Sequence, residues 1–266
     1  MKGRIGLALS WHEFVERTRD RWVLVISVLF ALLAVGTSLY GRGAEADVQM
    51  LTGPSLVTLA TLFVPLTGAV LGHDAIVGER ERNTLGLLLS LPASRLEILA
   101  AKFVGRLLAL ALAVGLGLGL AALVAGGDEA PILMQLFVPT LILGAVFLSL
   151  GLFISTFSRR QTTAASLVVA LWFLLVFFYD LGLLGLLIFT DGAVSTETIA
   201  RLVFSNPAGL YRLEMMELFA GPELVDDLGV AVELPGTFVR AAVWTAWTAI
   251  PLAMSALIMT CRRTQK

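Results

Sequence analysis

The chain contains the stretch ILMQLFVPTLILGAVFLSLGLFISTF at residues 132–157, which is 26 residues long and has no charged side chain. A helix needs about 20 apolar residues to cross the hydrocarbon core of a bilayer. Five more apolar stretches of spanning length surround it, at Trp22–Tyr40, Pro54–Val77, Ile98–Val124, Thr163–Phe189 and Phe238–Cys261. The sequence therefore predicts an all-α integral membrane protein with six transmembrane helices.

The composition indicates the same class. Apolar residues make up 58% of the chain and charged residues 15%, whereas soluble domains average about 45–50% and about 25%. We expect a single domain over residues 1–266, with an interfacial segment at 1–21, a membrane region at 22–261 and a tail at 262–266. The membrane region includes a segment at 190–237 that we expect on the periplasmic side.

Basic residues are concentrated on one side of the predicted spans. The loops on the opposite side hold only Arg42, Arg201, Arg212 and Arg240. Those on the amino-terminal side hold the remaining Lys and Arg residues: Lys2, Arg4, Arg17, Arg19, Arg21, Arg80, Arg82, Arg95, Lys102, Arg106, Arg159, Arg160, Arg262, Arg263 and Lys266. By the positive-inside rule both termini are cytoplasmic. Because topology already explains these charges, and the net charge is −1, we expect no nucleic-acid binding.

The residues before the first span alternate apolar and charged side chains at helical spacing, from Ile5 to Trp22. This pattern is typical of a helix that lies in the membrane interface with its aromatic rings at headgroup depth. The alternative is an ordinary charged flank before a span.

The sequence offers no catalytic or metal-binding constellation. Cys261 is the single cysteine, and His12 and His73 are the only histidines, with no nucleophile motif nearby. A disulfide or thiolate cluster within one copy is therefore excluded, and we expect neither an enzyme nor a metal site. The chain also lacks the Gly-rich phosphate-binding motif of ATPases, so any ATP that drives it must bind another polypeptide.

The largest loop on the cytoplasmic side is GERERNTLGLLLSLPASR, at residues 78–95. Its alternating charges and following leucines predict a short helix with an apolar face, exposed to the cytosol and therefore in need of a partner. The alternative is a helix that packs back on the chain's own spans. The residues expected to couple to that partner are Glu79, Arg80, Glu81, Arg82, Thr84, Leu85 and Leu88.

Two carboxylates fall inside the apolar stretches. Asp74, beside His73, lies at the predicted cytoplasmic boundary, where a charge is inexpensive and a structural role is favoured. Asp180, beside Tyr179, lies in mid-membrane, where a charge costs about 2.5–3.5 kcal/mol and is expected to face protein or water. In the alternative, the outer end of this stretch bends back and Asp180 reaches the outer interface.

The outer segment contains Asn206-Pro207, a sequence that favours a helix start, and Leu210, Leu213 and Glu214 follow at helical spacing. We therefore predict an amphipathic outer helix. Met215 and Met216 are adjacent, so they point about 100° apart on a helix, and we interpret them as apolar positions rather than as a copper site.

Several motifs resemble the ABC-2 type permeases, the membrane subunits of a class of ATP-driven transporters. The motifs are DAIVGERERNTL at 74–85, LPASR at 91–95, Lys102-Phe103 and LSLGLFISTFSR at 148–159. Four others are similar to the NosY type of permease: RWVL at 21–24, LFALLAV at 29–35, LWFLLVF at 171–177 with Tyr179-Asp180, and Asn206-Pro207 with LYRL at 210–213. NosY type permeases belong to the machinery that matures the copper sites of periplasmic nitrous oxide reductase.

The resemblance implies a homodimer in a bacterial or archaeal cytoplasmic membrane, with a separate cytoplasmic ATPase that holds ATP and Mg. It also implies a coupling helix at 79–89 and a periplasmic copper-handling partner, for which we expect Asn206, Pro207, Tyr211 and Arg212 as contacts. Two other functions stay open. One is an exporter of a lipid, glycan or drug, and the other is a scaffold or ion-driven carrier with Asp180 as its proton site.

Overall fold

The computed structural model describes residues 2–19, 48–125, 129–191, 193–227 and 235–261, together with residues 28, 31, 32, 35, 36 and 39. Within this part the chain is all-helical and no strand occurs. The six single positions belong to the predicted first span, Trp22–Tyr40, and are helical. The rest of that span, Trp22 in the predicted interfacial helix, and the tail at 262–266 lie outside the described residues.

The helices, in chain order, are α1 (Lys2–Thr18), α2 (Val48–His73), α3 (Val77–Glu81), α4 (Leu85–Ser90), α5 (Arg95–Ala125), α6 (Glu129–Gln135), α7 (Phe137–Phe157), α8 (Gln161–Phe173), a π-helical turn (Leu174–Phe178), α9 (Tyr179–Phe189), α10 (Thr196–Ser205), α11 (Pro207–Asp227) and α12 (Thr237–Cys261).

Five helical stretches in the described residues are long and apolar enough to cross a membrane. They are Pro54–Glu81, Arg95–Val124, Leu133–Phe157, Gln161–Phe189 and Thr237–Cys261. These stretches coincide with the predicted spans two to six, so the prediction of those five helices is confirmed. We call the end of the bundle that carries α3 and α4 the inner end, and the opposite end the outer end.

The helices α2 and α7 pack with their backbones in contact at the centre of the bundle. A Cβ atom on Gly68 would clash with the carbonyl oxygen of Gly144, and one on Gly72 would lie 2.6 Å from the carbonyl oxygen of Leu148. Small residues allow this close approach, which is how helices associate in a bilayer without a hydrophobic driving force.

The span that carries Asp180 is one continuous helix from Gln161 to Phe189, with the π-helical turn in its middle. The alternative in which the end of this stretch bends back therefore does not describe the structure. The chain turns back later, through α10 and α11.

The corner between α10 and α11 lies deep between the spans. The side-chain amide of Asn206 donates to the carbonyl oxygen of Leu175 (2.7 Å), and the indole of Trp247 donates to the carbonyl oxygen of Ser205 (2.9 Å). Leu175 precedes Phe189 by 14 residues, which corresponds to roughly 21 Å of helix. The pair α10–α11 is thus a re-entrant hairpin, which corrects our expectation of an outer helix in this part of the segment at 190–237.

Burial explains why the hairpin enters the bundle. The first turns of α11 place Ala208, Leu210 and Tyr211 in the common hydrophobic core, each with no exposed surface. The Tyr211 hydroxyl forms a hydrogen bond with the Thr140 hydroxyl of α7 (2.8 Å). Irregular backbone is tolerated at membrane depth where protein surrounds it and satisfies its polar groups.

Candidate functional site

Six charged side chains lie together at the inner end, and we call them the inner ion network. Three are acidic and three are basic, so the formal charges balance. They come from α1, from the connection between α2 and α3, from α3 and from α5: Glu13, Arg17, Asp74, Glu79, Lys102 and Arg106.

Lys102 joins two parts of the chain that are distant in sequence. Its ammonium group forms an ion pair with Glu13 of α1 and lies 3.2 Å from Oε1 of Glu79 in α3. The Lys102 side chain is only 1% exposed. A single buried cation thus holds the interfacial helix and the start of the inner loop (residues 78–95) to α5.

Arg106 lies one turn further along α5 and extends the network. Its guanidinium contacts Oδ1 of Asp74 (2.5 Å) and Oε2 of Glu13 (3.2 Å), and it also donates to the carbonyl oxygen of Leu71. Arg17 reaches the other carboxylate oxygen of Asp74 at 2.9 Å. The structure therefore supports a structural role for Asp74, as the sequence favoured.

A glycine allows α1 to lie this close to α5. A Cβ atom on Gly105 would lie 2.5 Å from the carbonyl oxygen of Ser10 and 2.6 Å from the Cβ of Glu13. Because Lys102 and Arg106 are four residues apart on either side of Gly105, they share the face of α5 that meets α1. Close contact and ion pairing thus occur on one helix face.

The neighbouring cations determine the charge state of Glu13. Burial alone would raise the pKa of this carboxyl group, but the positive charges of Arg106 and Lys102 outweigh that effect, and the pKa lies below its ordinary value. Glu13 therefore remains ionised at neutral pH and keeps its partners.

The helix α1 is present where the sequence predicts an interfacial helix, but two of its charged side chains face the protein interior. Leu7 and Trp11 are 73% and 64% exposed, whereas Glu13 is buried against α5 and Arg17 is buried beside Asp74. The apolar side thus remains available to the membrane interface, while part of the charged side belongs to the protein interior.

The charged residues of the inner loop are bound mainly to the chain itself. Glu79 accepts a hydrogen bond from the Thr84 hydroxyl in addition to its ion pair with Lys102. Glu81 accepts from the backbone N–H of Gln161 at 2.9 Å.

The two arginines of the loop differ in how firmly they are held. Arg80 donates to the carbonyl oxygens of Thr156 (3.1 Å) and Ser158. Arg82 lies 3.9 Å from Glu16 and is 57% exposed. Three of the four charged residues expected to contact a partner therefore attach the loop to the membrane bundle.

The inner loop forms two short helices rather than the single coupling helix that we predicted. Asn83 has a φ of 57° and ends α3, because its N–H donates to the carbonyl oxygen of Arg80 (3.2 Å) and the N–H of Thr84 donates to that of Glu79 (3.0 Å). This pair of hydrogen bonds is a Schellman cap, in which glycine is preferred and asparagine is tolerated. The second helix, α4, then leaves in a new direction.

An apolar surface remains exposed beyond this cap. Leu87, Leu91 and Leu96 are 72%, 37% and 60% exposed, and we call them the leucine tip. Leu85 and Leu88, which we had expected as contacts, are only partly exposed. The sequence showed the leucines of this loop, but the break at Asn83 decides which of them face outward.

Asp180 has a partner in the re-entrant hairpin. Its Oδ2 lies 2.5 Å from Nη2 of Arg212, and we call these two residues the outer pair. The Tyr179 hydroxyl donates to the carbonyl oxygen of Leu202 (2.7 Å) and lies 2.8 Å from the Ser205 hydroxyl. Asp180 and Tyr179, two of the four residues predicted as intramembrane polar positions, thus hold the hairpin against α9.

His73 contacts its own helix, with Nδ1 2.5 Å from the carbonyl oxygen of Val70. Of the residues expected to contact a periplasmic partner, Asn206 and Tyr211 are 1% and 0% exposed and Pro207 is buried as well. These three have no surface to offer another protein, so that expectation is corrected, and only Arg212 is partly exposed.

The adjacent methionines of α11 diverge, since Met215 is 4% exposed and Met216 is 47% exposed. Among the described residues, no group of three or more His, Cys, Asp and Glu side chains is placed to hold a metal ion.

Comparison with known proteins agrees with the resemblance of the motifs. Residues 7–261 match the family described as ABC-2 family transporter protein. The chain is 38% identical over 262 residues to the "Probable ABC transporter permease protein NosY" of Pseudomonas aeruginosa, covering 93% of this chain and 94% of that protein. It is 38% identical over 273 residues to the protein of the same name from Stutzerimonas stutzeri, covering 96% and 98%. This chain therefore belongs to the ABC-2 family of transporter proteins.

Proposed function

We propose that this permease transmits the work of a separate cytoplasmic ATPase to the opposite face of the membrane, in a pathway that inserts copper into nitrous oxide reductase. The chain itself performs no catalysis in this proposal, and ATP and Mg are bound by the partner. The observation that carries the proposal is the inner ion network, which holds the start of the inner loop to α1 and α5.

The leucine tip is the surface that we assign to the ATPase. Leu87 and Leu96 are more than half exposed, and they belong to the inner loop and the first turn of α5, next to the bundle's inner end. Exposed apolar side chains grouped at the end of a helix bundle offer a contact surface to another protein. The basic flanks predict that this end faces the cytosol, where ATP is found.

The network explains how movement of the tip would reach the membrane helices. Lys102 connects Glu79 of the loop to Glu13 of α1, and Arg106 connects Glu13 to Asp74. Separating any of these buried pairs leaves a charge without compensation, so the elements are expected to move together. The helix α5 that carries both cations is 31 residues long, or roughly 46 Å, which crosses the whole membrane.

The outer pair supports assembly as a homodimer. Its side chains are 38% and 36% exposed, yet the surrounding surface is apolar, with Leu181 and Leu184 59% and 54% exposed. Charges that face lipid at this depth are expensive. A second copy against α9, or a water-filled space between two copies, would remove the pair from lipid.

The copper pathway rests on similarity to NosY permeases over nearly the whole chain. A periplasmic partner would have to contact surfaces other than the buried corner at Asn206. An exporter of a lipid, glycan or drug would belong to the same class, and an ion-driven carrier would act without an ATPase.

Copurification with the cognate ATPase tests the coupling proposal. Leu87→Asp places a charge in an apolar contact and should reduce the recovered ATPase by about tenfold or more. Thr162→Asp adds the same charge to an exposed position of α8, outside the leucine tip, and serves as the control. Charge reversal at Glu79 is a poorer test because it would also break the inner ion network. Equal recovery with both variants would refute the assignment of the tip.

Copper content tests the pathway. A strain that lacks this gene should accumulate nitrous oxide reductase without its full copper complement. The wild-type gene should restore the metal, whereas the Leu87→Asp gene should not. A fully metallated enzyme in the deletion strain would overturn the copper proposal and favour the exporter, and activity of the permease without any ATPase would favour the carrier.

A further inference from the structure

A groove of about 1240 Å³ lies in the outer half of the bundle, between α7, α11 and α12. Most of its walls are apolar and include Pro139, Ile142, Leu218, Ala249 and Leu252. Its volume exceeds the range of about 300–1,000 Å³ that is usual for sites of drug-sized ligands. The groove is open along its side, and Ile142 on its wall is 37% exposed.

The groove is long in the direction of the membrane normal. Along α12 its lining runs from Thr237 to Leu252, a separation of 15 residues, or roughly 22 Å of helix. One leaflet contributes about half of the 30 Å hydrocarbon core. An extended acyl chain therefore fits along this wall.

Among the described residues that line the groove, charged side chains occur only at its outer end. Glu214, Glu217 and Arg240 line this end together with Trp244. The indole of Trp244 lies 3.3 Å from both carboxylate oxygens of Glu214 and holds that group in place. The rim thus combines one cation with two carboxylates.

Arg240 is held loosely by its neighbours. Its Nε lies 4.0 Å from Glu214 and its Nη1 lies 3.5 Å from Glu217, distances well beyond the 2.7–2.9 Å of a strong charge-assisted hydrogen bond. The guanidinium therefore retains donors for another anion, and its planar fork suits phosphate. Glu217 is 52% exposed and leaves a carboxylate free to accept from a cation.

We propose that this groove binds one zwitterionic phospholipid with a primary amine in its headgroup, from the outer leaflet. The phosphate lies against Arg240, the ammonium group donates to Glu217 and Glu214, and an acyl chain follows the apolar wall toward Leu252. An anionic headgroup without an amine would meet a rim of net charge −1. A quaternary ammonium headgroup has no N–H to donate to the carboxylates.

Lipid retention measured by native mass spectrometry tests this proposal. The full-length chain, purified with its ATPase, is placed in nanodiscs of equal parts phosphatidylethanolamine, phosphatidylglycerol and phosphatidylcholine. We expect phosphatidylethanolamine to be retained about tenfold over the other two lipids. Equal retention of all three would overturn the proposal, since the groove would then hold bulk lipid only.

Two variants and a control localise the effect. Arg240→Gln should abolish the preference, and Ala249→Trp should fill the groove and release the lipid. Ala242→Trp adds the same side chain to an exposed position of α12 outside the groove and should change nothing. If neither Arg240→Gln nor Ala249→Trp alters retention, the proposal fails. It also fails if Thr248→Cys in the groove, combined with Cys261→Ser, crosslinks two copies, because the groove would then be a subunit interface.

Discussion

Two groups of charged side chains in this protein, the inner ion network and the outer pair, are built differently. At the inner end, Lys102 and Arg106 are each 1% exposed and both contact Glu13, itself 6% exposed. In the outer half, Asp180 and Arg212 form a pair at 2.5 Å, but their side chains remain 38% and 36% exposed. The inner ion network is closed within one chain, whereas the outer pair is open on one side.

The difference indicates which end is complete in a single copy. Removal of charges from water is favourable only when every partner is in place, and the inner ion network meets that condition with elements of one chain. The outer pair meets this condition only in part, because both side chains remain partly exposed on a surface that is otherwise apolar. In the function proposed above, the inner end is a preassembled connection for force and the outer half is the region that a second copy completes.

Substitution of Arg106 is expected to have the largest effect on stability, and it tests this contrast directly. Arg106→Met should destabilise the protein by about 3–5 kcal/mol, because Asp74 and Glu13 would be left buried with too little positive charge. The free energy of unfolding in a mild detergent, measured with a chemical denaturant, checks the value.

The control for Arg106 is Arg82, which is 57% exposed and 3.9 Å from Glu16. Arg82→Met should change the free energy of unfolding by about 1 kcal/mol or less. If the two variants are equally stable, burial in the network has no special role and the contrast between the regions disappears.

A smaller effect is expected at the contact between α1 and α5. Gly105→Ala places a methyl group 2.5 Å from the Ser10 carbonyl oxygen, and displacement of α1 should cost about 1–3 kcal/mol. Gly119 lies in the same helix, and among the described residues none would come within 4 Å of its added methyl group. Gly119→Ala should therefore stabilise the protein by about 0.5–1 kcal/mol.

The two substitutions are expected to change the stability of the protein in opposite directions, and this difference is what the measurement tests. Thermal unfolding of both variants, in the same detergent, would show whether the inner ion network depends on close contact between α1 and α5. If Gly105→Ala is as stable as Gly119→Ala, the network tolerates a displaced α1 and is less rigid than we infer.

The spanning helices could be predicted from sequence because each is an apolar run of sufficient length, as at residues 132–157. The inner ion network could not. From the sequence alone, Lys102 and Arg106 are basic residues near a membrane boundary, and Glu13 is part of a charged flank. Only the packing of α1 on Gly105 brings them together, and that contact between distant segments has no local signal.

The inner loop and the hairpin could each be predicted only in part from the sequence. In the sequence Asn83 is one polar residue of the loop among others, but its φ of 57° decides that the loop makes two helices. Asn206-Pro207 correctly marks a helix start at Pro207, yet the leucines and glutamates that follow at helical spacing would also suit an outer helix. Its depth is set by the bond from Asn206 to Leu175, which joins residues 31 positions apart.

The smallest effect on stability is expected at the outer pair. The double variant Asp180→Asn with Arg212→Gln removes both charges, so neither is left alone, and it should change the free energy of unfolding by about 1 kcal/mol or less. Because we infer that a second copy covers this pair, the dimer fraction measured by mass photometry in detergent should nevertheless fall several-fold. The control is Glu197→Gln with Arg201→Gln, which removes an equally short pair (2.5 Å) that is 74% and 76% exposed on α10, and it should leave both quantities unchanged. A large loss of stability with an unchanged dimer fraction would place the outer pair in the same class as the inner ion network, and the open side of the pair would then need an explanation other than a second copy.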